Sequence, residues 1–281
     1  MEVFHVNKEQ IINMFDQNGN GQIDIEDAII LALKVPGLAV NRKKFLSNEL
    51  LKYCPQETID KAVMLNPMKA GVPSDVIDRI ADNVIEKNRK EVTAISTTLG
   101  MPGGAAMAAT IPADMIQFFG YMLKCVQELM YLYGFPEINV NKEDMQFDSE
   151  TLNIFILSIG VMYGVSGANN GLKMIANALG KGVEKQLLKK ALTKGTVYPL
   201  VKSVSKWFGI NMTKKVFAGF FNKAIPVVGG ALGGGITYLT FKPCCIKLKH
   251  SLMNTYLSNP NYVEDDSEKL PVIDLDVTEV Y

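Results

Sequence analysis

The chain has 281 residues, 48% of them hydrophobic and 21% charged, with 29 basic and 29 acidic side chains and a formal net charge of zero. That length and apolar content exclude a disordered chain and allow one large domain or a small module joined to a larger one. The mean hydropathy of +0.10 lies between ordinary soluble and membrane compositions.

The first thirty residues and the last eighteen are acidic, whereas eleven lysines between Lys173 and Lys223 stand against Glu184 alone. This asymmetry predicts an anionic partner surface for the lysine stretch. Arginine is nearly absent, only Arg42, Arg79 and Arg89, which argues against nucleic acid. The four cysteines, Cys54, Cys125, Cys244 and Cys245, are irregularly spaced and two are adjacent, poor geometry for a disulfide framework. The first residues lack the basic and apolar regions of a secretory signal. Both features predict a reducing, cytoplasmic setting.

In chain order, Lys8 to Phe15 and Ile25 to Leu33 read as two helices flanking a polar loop, the second stopped near Pro36-Gly37. Two shorter helices follow between Arg42 and Asn66, one burying Phe45, Leu46, Leu50 and Leu51, the other burying Ile59 and Val63. Ser74 reads as the N-cap of an amphipathic helix carrying Val76, Ile77, Ile80, Ala81, Val84 and Ile85. The run from Val92 to Ala113 holds no charge and is interrupted by Pro102 and Pro112. Met115 to Tyr133 predicts a nearly all-round apolar helix, with Lys124 and Glu128 spaced to pair. Two further charge-free runs, Thr151 to Leu172 and Ala224 to Phe241, have the length of a membrane crossing. The helices between them carry apolar stripes with lysines on the remaining faces, and an acidic tail closes the chain.

The loop from Asp16 to Asp27 places oxygen-bearing side chains at positions 1, 3, 5, 9 and 12: Asp16, Asn18, Asn20, Asp24 and Asp27. Gly21 stands at the sharp turn, Gln22 offers its backbone carbonyl, and Ile23 takes the apolar anchor position. A hard divalent cation takes six to eight oxygens in this arrangement, so the loop predicts an EF-hand-type site for calcium, with magnesium as the competing ion. Asp27 stands where glutamate is usual, and Asn18 and Asn20 are neutral, so affinity is expected to be reduced. The sequence holds no second such loop, which favours a structural staple over a sensor.

Gly229 with Gly233, Gly230 with Gly234, and Gly160 with Gly164 form small-xxx-small pairs that let helices approach closely. The Gly229–Gly235 block lacks the Lys-Ser/Thr closure of a phosphate loop. Lys214, Lys215 and Lys223 before it and Lys242, Lys247 and Lys249 after it suit contact with anionic headgroups. Catalytic constellations are sparse. His5 and His250 are the only histidines, and pairing Cys244 or Cys245 with His250 gives a weak hydrolase alternative. Asp114 reads as a helix-start carboxylate.

The segment from Leu99 to Gly120, with Met101-Pro-Gly-Gly and Ile111-Pro-Ala-Asp114 at its centre and continuing to Gly134, closely resembles the EcsC family of bacterial proteins. Ile225-Pro-Val-Val-Gly-Gly is similar to the second hallmark of that family. The resemblance covers roughly residues 85 to 252 and implies membrane association without a known activity; it transfers no catalytic residue. The expected architecture is all-α: an EF-hand module over 1–37, connecting helices over 38–90, a glycine-rich helical bundle over 91–257 and an acidic tail over 258–281. The expected role is non-enzymatic, at the cytoplasmic face of a membrane or beside a membrane-protein partner, with a membrane-disrupting effector as the alternative.

Overall fold

The computed structural model describes residues 16–17, 19, 21, 25–33, 35–99, 113–138, 149–182, 185–208, 234–259 and 261–262. The chain is all-α. Ten helices and no strand occur among these residues: α1 (Ile25–Leu33), α2 (Arg42–Leu50), α3 (Gln56–Met64), α4 (Ser74–Leu99), α5 (Ala113–Leu132), α6 (Ser149–Tyr163), α7 (Ala168–Gly180), α8 (Lys185–Thr193), α9 (Tyr198–Phe208) and α10 (Gly234–Met253). The expected helix Lys8–Phe15, the run 100–112 and the tail beyond 262 lie outside the described residues.

Local signals set several boundaries. Asn41 caps α2 by accepting the Lys44 amide at 2.8 Å. Pro55 opens α3, and an exposed Glu57–Lys61 pair at i,i+4 runs along it. α4 begins at Ser74, with the Pro73 carbonyl accepting from Val76 and Ile77, so the chain turns into the helix one residue before the expected cap. Gly134 ends the α5 turn with φ +96: Phe135 N–H donates to the Met130 carbonyl and Gly134 N–H to the Tyr131 carbonyl. This double closure requires a left-handed residue, here glycine.

α4, α5 and α10 form the most extensive contacts, and α6 is buried on nearly every side, with Phe155, Ile156, Leu157 and Ile159 all at 0% exposure. α4 and α10 run antiparallel along a ladder of polar contacts. Asp82 meets Lys249 at 2.6 Å, Glu86 meets Lys242 at 3.5 Å, and Arg89 donates to the Tyr238 hydroxyl at 2.8 Å while lying 3.8 Å from its ring centroid. α1 packs on α5 and α6 through Ile25, Ile29, Ala32 and Leu33, all at 0–1% exposure. One contiguous buried cluster runs from Ile25 to Leu257, so the boundaries expected at 37 and 90 do not separate cores.

The charge-free run Thr151–Leu172 is not one continuous helix. It breaks at residues 164–167, where Gly164 and Gly167 both take positive φ, and folds back as the α6–α7 hairpin. Its apolar surface is met by protein: Gly171 lies against Leu157 across the hairpin. Among the described residues no helix is long and apolar enough to cross a membrane.

Candidate functional site

Asp27 lies in the first turn of α1 and is fully buried. Its Oδ1 accepts the Gln17 amide at 2.7 Å, ten residues back, which closes the loop. At the opposite end Asp16 Oδ2 accepts the Gly21 amide at 2.7 Å. Gly19 and Gly21 both sit at positive φ, +70 and +78, so the backbone curls tightly between the two aspartates. Both carboxylates bond to amides of the loop they bound, the ring geometry on which an oxygen-ligand cation site is built. The donor set is chemically suited to calcium or magnesium. Among the described residues no three His, Cys, Asp or Glu side chains gather at one point. Of the other expected ligands, Asn18, Asn20, Gln22 and Asp24 lie outside the described residues.

The expected surface lysines divide. Lys247 is exposed, and Lys242 is half-buried on Glu86. Lys249 is a correction: its side chain is 9% exposed, and its ammonium donates to Asp82 Oδ1 and, at 3.2 Å, to the Asp78 carbonyl. Those partners consume its charge inside the α4–α10 contact, leaving it nothing to offer a headgroup. Lys214, Lys215 and Lys223 lie outside the described residues. Of the lysine stretch expected to face an anionic partner, Lys189, Lys190, Lys194 after α8, Lys202 and Lys206 are exposed on α8 and α9, beside a 49% exposed Trp207.

The glycine pair 160/164 also divides. A Cβ on Gly160 would sit 2.7 Å from Val204 and 2.8 Å from Ala168, so Gly160 does admit α9 closely. Gly164 instead ends α6: it takes φ +72, and the Val165 and Gly164 amides return to the Gly160 and Val161 carbonyls. It is a helix stop and not a packing face. Gly234 opens α10, while Gly229, Gly230 and Gly233 lie outside the described residues. Gly180 is as tightly approached as Gly160, but by backbone, with Leu257 N and Tyr256 C at 2.7 Å from its ideal Cβ.

Isolated polar residues inside apolar helices carry the buried chemistry. Gln127, fully buried on α5, accepts from Val40 N at 3.0 Å and donates to the Leu38 and Leu123 carbonyls, tying the segment before α2 to the core. Lys124 does not pair with Glu128; it reaches Glu91 on α4 at 2.9 Å. Glu128 instead accepts from Asn88, also on α4, and burial pushes its carboxyl up to about 7 against the opposing Asn88 bond. Among the described residues Asn88 Oδ1 has no hydrogen-bond partner.

Near Glu128, Cys125 and Cys245 interact with each other, and both are fully buried. Burial pushes Cys244 up to about 11 and Cys245 well above the usual thiol value. Neither thiol offers the thiolate that nucleophilic attack needs at neutral pH. His250 is exposed, and it is six and five residues from the cysteines, a spacing that turns side chains to different faces of α10. The Cys-His pairing therefore has no geometric basis. A cleft of about 490 Å³ opens at the α4 start and the end of α10, with Asp78 and Tyr133 on its lining. No protein-family model, curated protein or solved structure matches this chain.

Proposed function

We propose that this protein is a calcium-binding, non-enzymatic accessory protein of EcsC type that works peripherally at the cytoplasmic face of a membrane. The observation that carries the calcium part is the inward bonding of Asp16 and Asp27 at the two ends of one glycine-turned loop. Asp16, Asn18, Asn20, the Gln22 carbonyl, Asp24 and Asp27 would hold the ion. Because Asp27 leads directly into the buried face of α1, bound calcium would fasten that helix into the core. Its role is then structural.

Saturating calcium is expected to raise the melting temperature relative to chelator, since an ion at 100 times its Kd adds about 2.7 kcal/mol. Asp16→Asn and the double variant Asp16→Asn/Asp27→Asn should weaken calcium binding by at least about 30-fold. Thermal melts and calcium titrations check this. A calcium response identical in wild type and Asp16→Asn would remove the site.

Support for the membrane part comes from the resemblance over 99–120 and from the exposed lysines of α8 and α9 beside Trp207. An indole and lysine ammoniums suit the headgroup layer, each lysine adding about 1 kcal/mol at an anionic surface. The triple change Lys194→Glu/Lys202→Glu/Lys206→Glu should reduce flotation with anionic vesicles by at least about 30-fold, leaving any binding to neutral vesicles unaltered. Equal flotation of variant and wild type would end the assignment of this face.

A further inference from the structure

The cleft at the start of α4 has the size of a small-molecule site and an unequal lining. Met68, Ile77 and Met253 supply an apolar wall, and Asn254 stands exposed at its mouth. Among the described residues Asp78 is the one charged side chain lining the cleft, with no lysine, arginine or histidine beside it on the lining. Asp78 Oδ1 accepts the Tyr133 hydroxyl at 2.8 Å. Burial first, and then Asp78 itself, hold that phenol far above its ordinary pKa, so it remains a donor. The nearest lysine, Lys249, spends its ammonium on Asp82 and on the Asp78 backbone carbonyl, not on the Asp78 carboxylate. Asp78 is half-buried, and its Oδ2 has no hydrogen-bond partner among the described residues.

We infer that this cleft binds a small primary organic ammonium ion, with the ammonium on Asp78 and the alkyl body against Met68, Ile77 and Met253. An anion is disfavoured: among the described residues the one lining charge is negative, and Asp75 already meets the positive end of α4. A neutral apolar ligand would strip water from Asp78 and leave a charged oxygen without a partner. An ammonium ion replaces that water with a charge-assisted hydrogen bond. The thioethers and the Tyr133 ring are soft, polarisable surfaces for the carbons next to the cation.

The test titrates the full chain with n-butylammonium and with 1-butanol, its neutral near-isostere, followed by NMR chemical shifts and calorimetry. Wild type should bind butylammonium saturably and at least tenfold more tightly than butanol. Asp78→Asn should erase that preference, and Asn254→Trp, at an exposed position compatible with folding, should weaken both ligands by filling the mouth. Absence of saturable butylammonium binding, a preference that survives Asp78→Asn, or binding unaffected by Asn254→Trp would each overturn the inference.

Discussion

Arg42→Ala is expected to lower the free energy of unfolding by about 3 kcal/mol. Arg42 is 6% exposed, and its guanidinium is held by main-chain carbonyls alone. Nε donates to Phe135 O at 3.1 Å, Nη1 to Val63 O at 2.6 Å, and Nη2 to Ala62 O at 3.4 Å and Leu65 O at 3.2 Å. Three of these carbonyls belong to the last turn of α3 and the residue that follows it, the negative end of the helix dipole. The fourth lies just past the Gly134 stop of α5, so one side chain joins two helix ends that are distant in sequence. Burial lowers the Arg42 pKa, yet a guanidinium starts so far above neutrality that it stays charged there. Alanine leaves those carbonyls without a donor and removes the packing of the arginine stem. Lysine, with one compact ammonium in place of a fork, should recover less than half of the loss. Urea denaturation of the three proteins decides it, and a loss below about 1 kcal/mol for alanine would show that water replaces the guanidinium without cost.

Arg42 also marks what the sequence could not reveal. Its four partners lie 20 to 93 residues away, and no local pattern distinguishes it from an exposed arginine near a helix start. The helices were legible because apolar spacing is a local property: Ile77, Ile80, Ala81, Val84 and Ile85 are buried as the 3.6-residue period requires. The oxygen-bearing spacing of the aspartate loop was legible for the same reason, since it lies within twelve consecutive residues. The complete burial of Asp27, by contrast, depends on how α1 docks and is written in no local pattern.

The run Thr151–Leu172 shows a different limit. Absence of charge reports that side chains are shielded from water, but protein and lipid shield equally well. What separated the two was the backbone at Gly164 and Gly167, where consecutive turns need positive φ. Two glycines three residues apart read equally as a packing face or a hinge until that angle is known. Lys249 illustrates the same problem for charge. As one of several lysines flanking an apolar block it suits a headgroup, and only the antiparallel pairing of α4 with α10 brings Asp82 to it.

A second large effect is expected from pH. Glu128 has its carboxyl raised from an ordinary 4.5 to about 7, chiefly by burial. The folded chain therefore holds a proton there that the unfolded chain has released between those two values. Stability attached to this group is complete below pH 4.5, falls as pH rises towards 7, and is lost above it, a total of about 3 kcal/mol. Glu128→Gln abolishes the titration and keeps an oxygen to accept the Asn88 amide. The new amide also supplies a donor, which the unpartnered Asn88 Oδ1 lacks. Wild type and variant should then agree within about 1 kcal/mol at pH 4.5, while the variant is the more stable by about 3 kcal/mol at pH 8. Urea unfolding at several pH values between these limits gives the comparison directly. Parallel stability curves for the two proteins would mean that Glu128 is ionised in the fold at neutral pH, held by Asn88 and the nearby Lys124 and Lys87 against the cost of burial. Divergent curves would instead place a proton on Glu128 at the α4–α5 contact, near the buried Cys125 and Cys245, and that proton is released as pH rises through neutrality.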